Sequence, residues 1–121
     1  MGKKILIIDD SEQDRKIMAR FLKKAGYEDL IMAETGEEGV EKSKTESPDL
    51  VVSDTVLPGI DGFEVCRKIR EAQGEETPRI IIVTGAIDAV NAVKARMLGA
   101  NDYCAKTSDC VPLLDAIGKL I

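Results

Sequence analysis

Unbroken apolar runs recur along the chain at Ile5–Ile8, Leu30–Ala33, Leu50–Val52, Ile80–Val83 and, more weakly, Tyr103–Ala105, each bounded by polar residues, Gly or Pro. Such runs read as strands. Because they do not alternate with polar residues, they suit strands covered on both faces, the habit of parallel sheets. Helical spacing fills the segments between them. After Ser11, Ile17 pairs with Phe21 and Met18 with Leu22 at i,i+4, and Ala25 and Gly26 supply the stop. The stretch from Thr35 to about Glu46 opens on a capping box of Thr35 with Glu38 but has only Val40 as a sizeable apolar residue, so it is expected to be the loosest element. Gly62 to Ala72 presents Phe63, Ile69 and either Val65 or Cys66 on one face. Asp88 to Leu98 carries Ala89, Val90, Val93, Met97 and Leu98, with Val90, Val93 and Met97 expected in the core. The last helix starts near Asp109, read as its N-cap, with Pro112 in the first turn and Leu113, Leu114, Ile117 and Leu120 facing inward.

Strands alternating with helices imply right-handed crossovers and a doubly wound α/β sheet. For five parallel strands the common order is 2-1-3-4-5, a flavodoxin-like (βα)5 arrangement whose ligand crevice lies between the carboxyl ends of the first and third strands. With 121 residues the chain fits a single domain, 1–121. A chain of that size buries about two-thirds of its unfolded surface, enough for a core without disulfides or structural metal.

Composition removes several classes of function. Acids outnumber bases 22 to 17, for a formal net charge of −5, which argues against nucleic acid or anionic membrane as direct partners. The aromatics, Phe21, Tyr27, Phe63 and Tyr103, are too few to form a base-stacking platform. Cys66, Cys104 and Cys110 have no Cys-x-x-Cys spacing and the chain has no histidine, so they read as reduced thiols of a cytoplasmic protein and not as a zinc site. The same lack of histidine excludes Ser–His and Cys–His catalysis. The first apolar run is too short for a signal-peptide core or a membrane span.

The residues capable of chemistry fall at strand ends. Asp9 and Asp10 follow the first strand, Asp54 the third, Thr84 the fourth and Lys106 the fifth. Each alone has an ordinary reading as a helix cap, a solvated turn or a surface charge; their convergence on one rim is what carries weight. Together they offer oxygen ligands to a hard divalent cation and donors to phosphoryl oxygens. Mg²⁺, which keeps several waters and takes one or two carboxylates, suits the set better than Ca²⁺. Two like charges 4 Å apart repel by about 4 kcal/mol at an effective dielectric of 20, so Lys106 only partly offsets the three acids and Mg²⁺ is expected to stabilise the fold.

In this order the motifs resemble the receiver domain of two-component response regulators. They are Ile7, Ile8, Asp9 and Asp10 opening the first helix, the run Asp54 to Gly62, Val83 to Gly85, and Gly99 to Tyr103 leading to Lys106. The resemblance covers the whole chain. It implies that Asp54 is the phosphoacceptor, taking a phosphoryl group from the phosphohistidine of a histidine kinase or phosphotransfer protein, or from a small donor. It also implies that Asp10, Asp9 through water, Asp54 and the Val56 main-chain carbonyl hold Mg²⁺. Lys106 would pair with Asp54 at rest and with phosphoryl oxygens afterwards. Thr84 would donate to a new phosphoryl oxygen and Tyr103 would turn inward, although a half-buried core ring is the alternative for Tyr103. The output would be a shift of the face built from the fourth helix, fifth strand and fifth helix toward a downstream protein target or effector domain. Such a domain promotes its own phosphorylation and dephosphorylation without being an enzyme, and is a monomer or a weak phospho-dependent dimer.

Three alternatives test this reading. The family pattern places proline after the strand-5 lysine, joined by a cis bond, where this chain has Thr107. A cis bond without proline costs about 3 kcal/mol or more, so the loop either keeps strain or relaxes to trans and moves Lys106. A relaxed loop would suit a degenerate receiver serving as a non-phosphorylated interaction module. A Mg²⁺-dependent aspartyl phosphatase usually has a second Asp two residues past the nucleophile, where Val56 stands. Val56 and Ala86 offer no side chain to orient water, which implies a slowly hydrolysing phospho-form. A flavodoxin is excluded because Asp9, Asp10 and Glu12 would repel a flavin phosphate.

Overall fold

A computed structural model describes residues 2–121. Strands and helices alternate as β1 (Lys4–Ile8), α1 (Glu12–Lys24), β2 (Asp29–Ala33), α2 (Gly36–Glu46), β3 (Leu50–Asp54), α3 (Gly62–Gln73), β4 (Arg79–Thr84), α4 (Ala89–Met97), β5 (Asp102–Ala105) and α5 (Val111–Leu120). The strands form one parallel sheet in the expected order, β2-β1-β3-β4-β5. Register sets Ile8 beside Ser53 and Asp54 beside Val83, so the ends of β1, β3 and β4 lie along one edge.

Alternate residues of each strand enter opposite core layers. Leu6, Ile8, Val51, Ile80 and Ile82 pack with Phe63, Val65, Cys66 and Ile69 on the α3 side. Ile5, Ile7, Val52, Ile81 and Val83 pack with Met18, Leu22, Leu113 and Ile117 of α1 and α5 on the other. Both faces are covered, which is why the strands lack polar alternation. Val65 and Cys66 are both buried, so α3 uses both candidates for its inner face. The three cysteines are unpaired. Burial pushes the Cys66 thiol up to about 11 and, with Asp102 and Cys110 nearby, the Cys104 thiol up to about 12. Among the described residues no helix is long and apolar enough to cross a membrane.

Four helices start where a side chain caps the third amide: Ser11 accepts from Asp14 at 3.2 Å, Thr35 from Glu38 at 3.1 Å, Asp61 from Glu64 at 2.9 Å and Asp88 from Asn91 at 2.8 Å. The fifth departs from the sequence reading. Asp109 is not the N-cap of α5; Cys110 is, at φ 57°, while Asp109 accepts from the Val111 amide at 3.1 Å and the Thr107 hydroxyl at 2.8 Å. The Lys106–Thr107 bond is trans, the one cis peptide among the described residues being Thr77–Pro78.

Two packing expectations are also corrected. Val90, Val93 and Met97 are 78%, 58% and 82% exposed, and Ala95 is the buried residue of α4. This helix has two apolar stripes, and it turns the small one, Ala92 and Ala95, toward the body of the protein. Nor does α2 sit loosely: a Cβ on Gly36 would come within 2.5 Å of Ile60 Cγ1 and one on Gly39 would collide with Ile8. Its glycines bring the backbone against the core, and buried Ser43 accepts a 2.8 Å hydrogen bond from Gln73.

Candidate functional site

The ladder between β1 and β2 runs one residue past β1, where the Asp9 amide donates to Ala33 O at 3.1 Å. That last rung turns the Asp9 side chain into the crevice, fully buried. Asp9 Oδ1 accepts from the Ser11 amide at 2.9 Å, and Arg15 donates to the Asp9 carbonyl oxygen at 2.6 Å. Asp9 Oδ2 is the one buried side-chain oxygen or nitrogen among the described residues without a hydrogen bond, although Lys106 Nζ lies 2.6 Å away. The contact is an ion pair.

Asp54 ends β3, and one carboxylate oxygen from each of Asp9, Asp10 and Asp54 lies within 4.8 Å of the others. Asp9 is buried, Asp54 half-buried and Asp10 exposed, so the cluster opens to solvent on one side. Burial raises the Asp54 carboxyl above the usual carboxylate range; Lys106 opposes that shift and Asp9 adds to it. Three acids with one orphaned buried oxygen form an all-oxygen donor set that fits a hard divalent cation.

Lys106 follows β5, and its amide donates to Thr84 O at 2.7 Å, which fixes the base of the side chain beside the end of β4. Its ammonium meets Asp9 Oδ2 at 2.6 Å, Asp14 Oδ2 at 2.8 Å and Asp54 Oδ2 at 3.2 Å. Burial opposes its charge, but close contact with the Asp14 and Asp9 carboxylates and the negative charge of Asp54 outweigh it and push its pKa up. Thr107 in trans therefore does not take Lys106 out of the crevice. Asp14 is the contact that sequence reasoning missed. The available signal was its spacing, four residues after Asp10 in the first turn of α1.

Thr84 is buried at the end of β4, where its Oγ1 lies 3.2 Å from both the amide and the carbonyl oxygen of Ala86 and 3.4 Å from Thr55 Oγ1. Tyr103 is half-buried beside the α3-side core, with its hydroxyl 3.5 Å from the same Ala86 carbonyl. Val56 stands on the rim two residues past Asp54 with its side chain 76% exposed.

A family model described as the response regulator receiver domain matches residues 5–118. The chain is 42% identical over 106 residues to the alkaline phosphatase synthesis transcriptional regulatory protein PhoP of Bacillus subtilis, an alignment covering 88% of this chain and 43% of PhoP. It is 34% identical over 119 residues to protein PilH of Pseudomonas aeruginosa, covering 98% of this chain and 97% of PilH. Among solved structures, a CheY-like response regulator receiver domain protein from Methanospirillum hungatei JF-1 matches with a TM-score of 0.87 at 30% identity, covering 98% of this chain and 93% of that one. The chain belongs to the response regulator receiver domain family, a signalling domain of two-component systems and not a classical enzyme. It spans less than half the length of PhoP, with 43% covered.

Proposed function

We propose that residues 1–121 form one cytoplasmic receiver domain in which Asp54 accepts a phosphoryl group and returns it to water. The observation that carries this reading is the convergence on Asp54 of the Lys106 ammonium at 3.2 Å and of Asp9 and Asp10, whose carboxylate oxygens cluster with its own. An Asp54 carboxylate oxygen attacks the donor phosphorus to form the acyl-phosphate O–P bond. The P–N bond to a histidine kinase's or phosphotransfer protein's phosphohistidine breaks, and the imidazole leaves with the electron pair. No general base is needed, because a carboxylate is ionised at neutral pH. Lys106 places positive charge where the transferred oxygens arrive, and positioning with charge neutralisation is most of what phosphoryl transfer requires. Asp9, Asp10, Asp54 and the Val56 main-chain carbonyl would hold Mg²⁺, which when bound neutralises charge on the phosphoryl oxygens. Self-promoted phosphorylation from a small donor and slow hydrolysis, with exposed Val56 offering no group to orient water, belong to the same reading.

The switch runs through Ala86. Thr84 and Tyr103 both reach its carbonyl oxygen, so turning the Thr84 hydroxyl toward a phosphoryl group releases the loop before α4 and makes room for the Tyr103 ring. The exposed apolar side chains of α4 lie on the face that would then shift against a downstream protein target or effector domain. The domain acts as a monomer or weak phospho-dependent dimer. Lys106 within reach of Asp54 favours a working receiver over a non-phosphorylated interaction module, and Val56 in place of a second Asp disfavours an aspartyl phosphatase.

Intact-mass spectrometry after incubation with Mg²⁺ and a small acyl phosphate tests the assignment. A single phosphoryl adduct is expected, requiring both Mg²⁺ and Asp54 and lost in Asp54→Ala. A folded wild-type protein that takes no adduct would overturn it.

A further inference from the structure

Asp14 is the partner of Lys106 that stands outside the acidic cluster of Asp9, Asp10 and Asp54. Its carboxylate is 38% exposed, and its Oδ2 is 2.8 Å from the ammonium, closer than Asp54 Oδ2 at 3.2 Å. The start of α1 fixes its backbone, because the Asp14 amide donates to the capping Ser11 hydroxyl. A cleft of about 230 Å³ between α1 and the loop after β5, lined by Asp14, Lys106 and Thr107, gives the lysine room on that side. An ammonium has three N–H bonds, and three carboxylates already surround this one. A phosphoryl group on Asp54 brings new anionic oxygens that need the same donors. To serve them Lys106 must give up resting contacts, and the Asp14 charge then also repels the new anion. Both effects have the same sign.

We propose that Asp14 is a positioning residue that draws the Lys106 ammonium toward α1 at rest and thereby weakens the hold of the site on a phosphoryl group at Asp54. The proposal rests on the assignment of Asp54 as phosphoacceptor. Beryllofluoride, a phosphoryl mimic, is titrated calorimetrically at saturating Mg²⁺ into wild type, Asp14→Asn and Asp14→Glu. A pair exposed to this degree predicts a Kd for beryllofluoride about two- to five-fold lower in Asp14→Asn, with the wild-type value restored by Asp14→Glu. In the metal-free proteins, NMR of the Lys106 ammonium should show it moving toward the Asp54 carboxyl in Asp14→Asn only. An unchanged or higher Kd in Asp14→Asn, or an unmoved ammonium, overturns the proposal. If wild type binds no beryllofluoride, the assignment of Asp54 fails instead, and the metal-free ammonium signal still decides what Asp14 does.

Discussion

The ammonium of Lys106 reaches from the end of β5, past β4 and β3, to Asp9 beyond the end of β1, closing to 2.6 Å on a carboxylate with no solvent exposure. It is the cation that makes a buried Asp9 tolerable without metal. Removing it leaves that charge uncompensated, at a cost between that of a charged hydrogen bond and that of a fully buried pair. Lys106→Met, which keeps the length of the side chain, should therefore destabilise the metal-free protein by about 2–4 kcal/mol. Urea unfolding measures this, and Mg²⁺ should recover part of the loss. Wild-type stability in Lys106→Met would mean that the ion pair contributes nothing.

Asp54 makes the opposite contribution. Burial raises its carboxyl above the usual range, and Lys106 only partly reverses that shift. A carboxyl with a higher pKa in the folded than in the unfolded chain binds more protons when native, so its effect on stability is most favourable at acid pH and worsens as pH rises from the unfolded to the folded value. At neutral pH the ionised group is a net burden, and without it Lys106 still has Asp9 and Asp14. Asp54→Asn should melt above wild type near pH 7 without Mg²⁺, with the gap narrowing as pH falls through the carboxylate range. Thermal unfolding across that range checks the sign; a gap that widens toward acid contradicts it.

The sheet and its rim were legible because apolar runs without alternation must be covered on both faces, and the resulting topology assigns the residue after each run to one edge. Asp9, Asp54, Thr84 and Lys106 followed from position. Asp14 did not, because spacing along α1 shows which helix face it shares but not that a lysine from β5 comes down onto it. The start of α5 was misplaced because a left-handed residue is usually announced by Gly or Asn, and Cys110 carries neither signal. In α4 the large stripe of Val90, Val93 and Met97 competes with the small stripe of Ala92 and Ala95, and periodicity does not say which one faces inward.

That last ambiguity has a direct test. Val90→Ser and Met97→Ser remove apolar groups that are already 78% and 82% exposed, so each should change stability by no more than about 0.5 kcal/mol. Ala95→Leu inserts bulk where there is no free surface and should cost about 1–3 kcal/mol. Urea midpoints of the three variants give the comparison. A large loss in Val90→Ser or Met97→Ser would return those residues to the core.

The loop after Asp54 ties the site to α3 through a glycine. The Gly62 amide donates to Thr55 O at 3.0 Å, and a Cβ there would collide with the Asp54 carbonyl oxygen and stand 3.1 Å from Thr55 Cα. These are backbone atoms at the end of β3, which cannot swing aside as a long side chain would. Gly62→Ala must therefore push the start of α3 away from the strand that carries the proposed phosphoacceptor, with an overpacking cost of about 1–3 kcal/mol. Gly118 in α5 provides the control: a Cβ there meets nothing within 4 Å, and alanine in a helix is favoured over glycine by about 0.8–1.0 kcal/mol. Gly118→Ala should thus melt at or above wild type. Gly62→Ala should melt below it and take up less phosphoryl group from a small acyl phosphate. A Gly62→Ala protein with wild-type melting and full adduct yield would show that the loop has slack and that the approach of α3 to Asp54 does not set the geometry of the site.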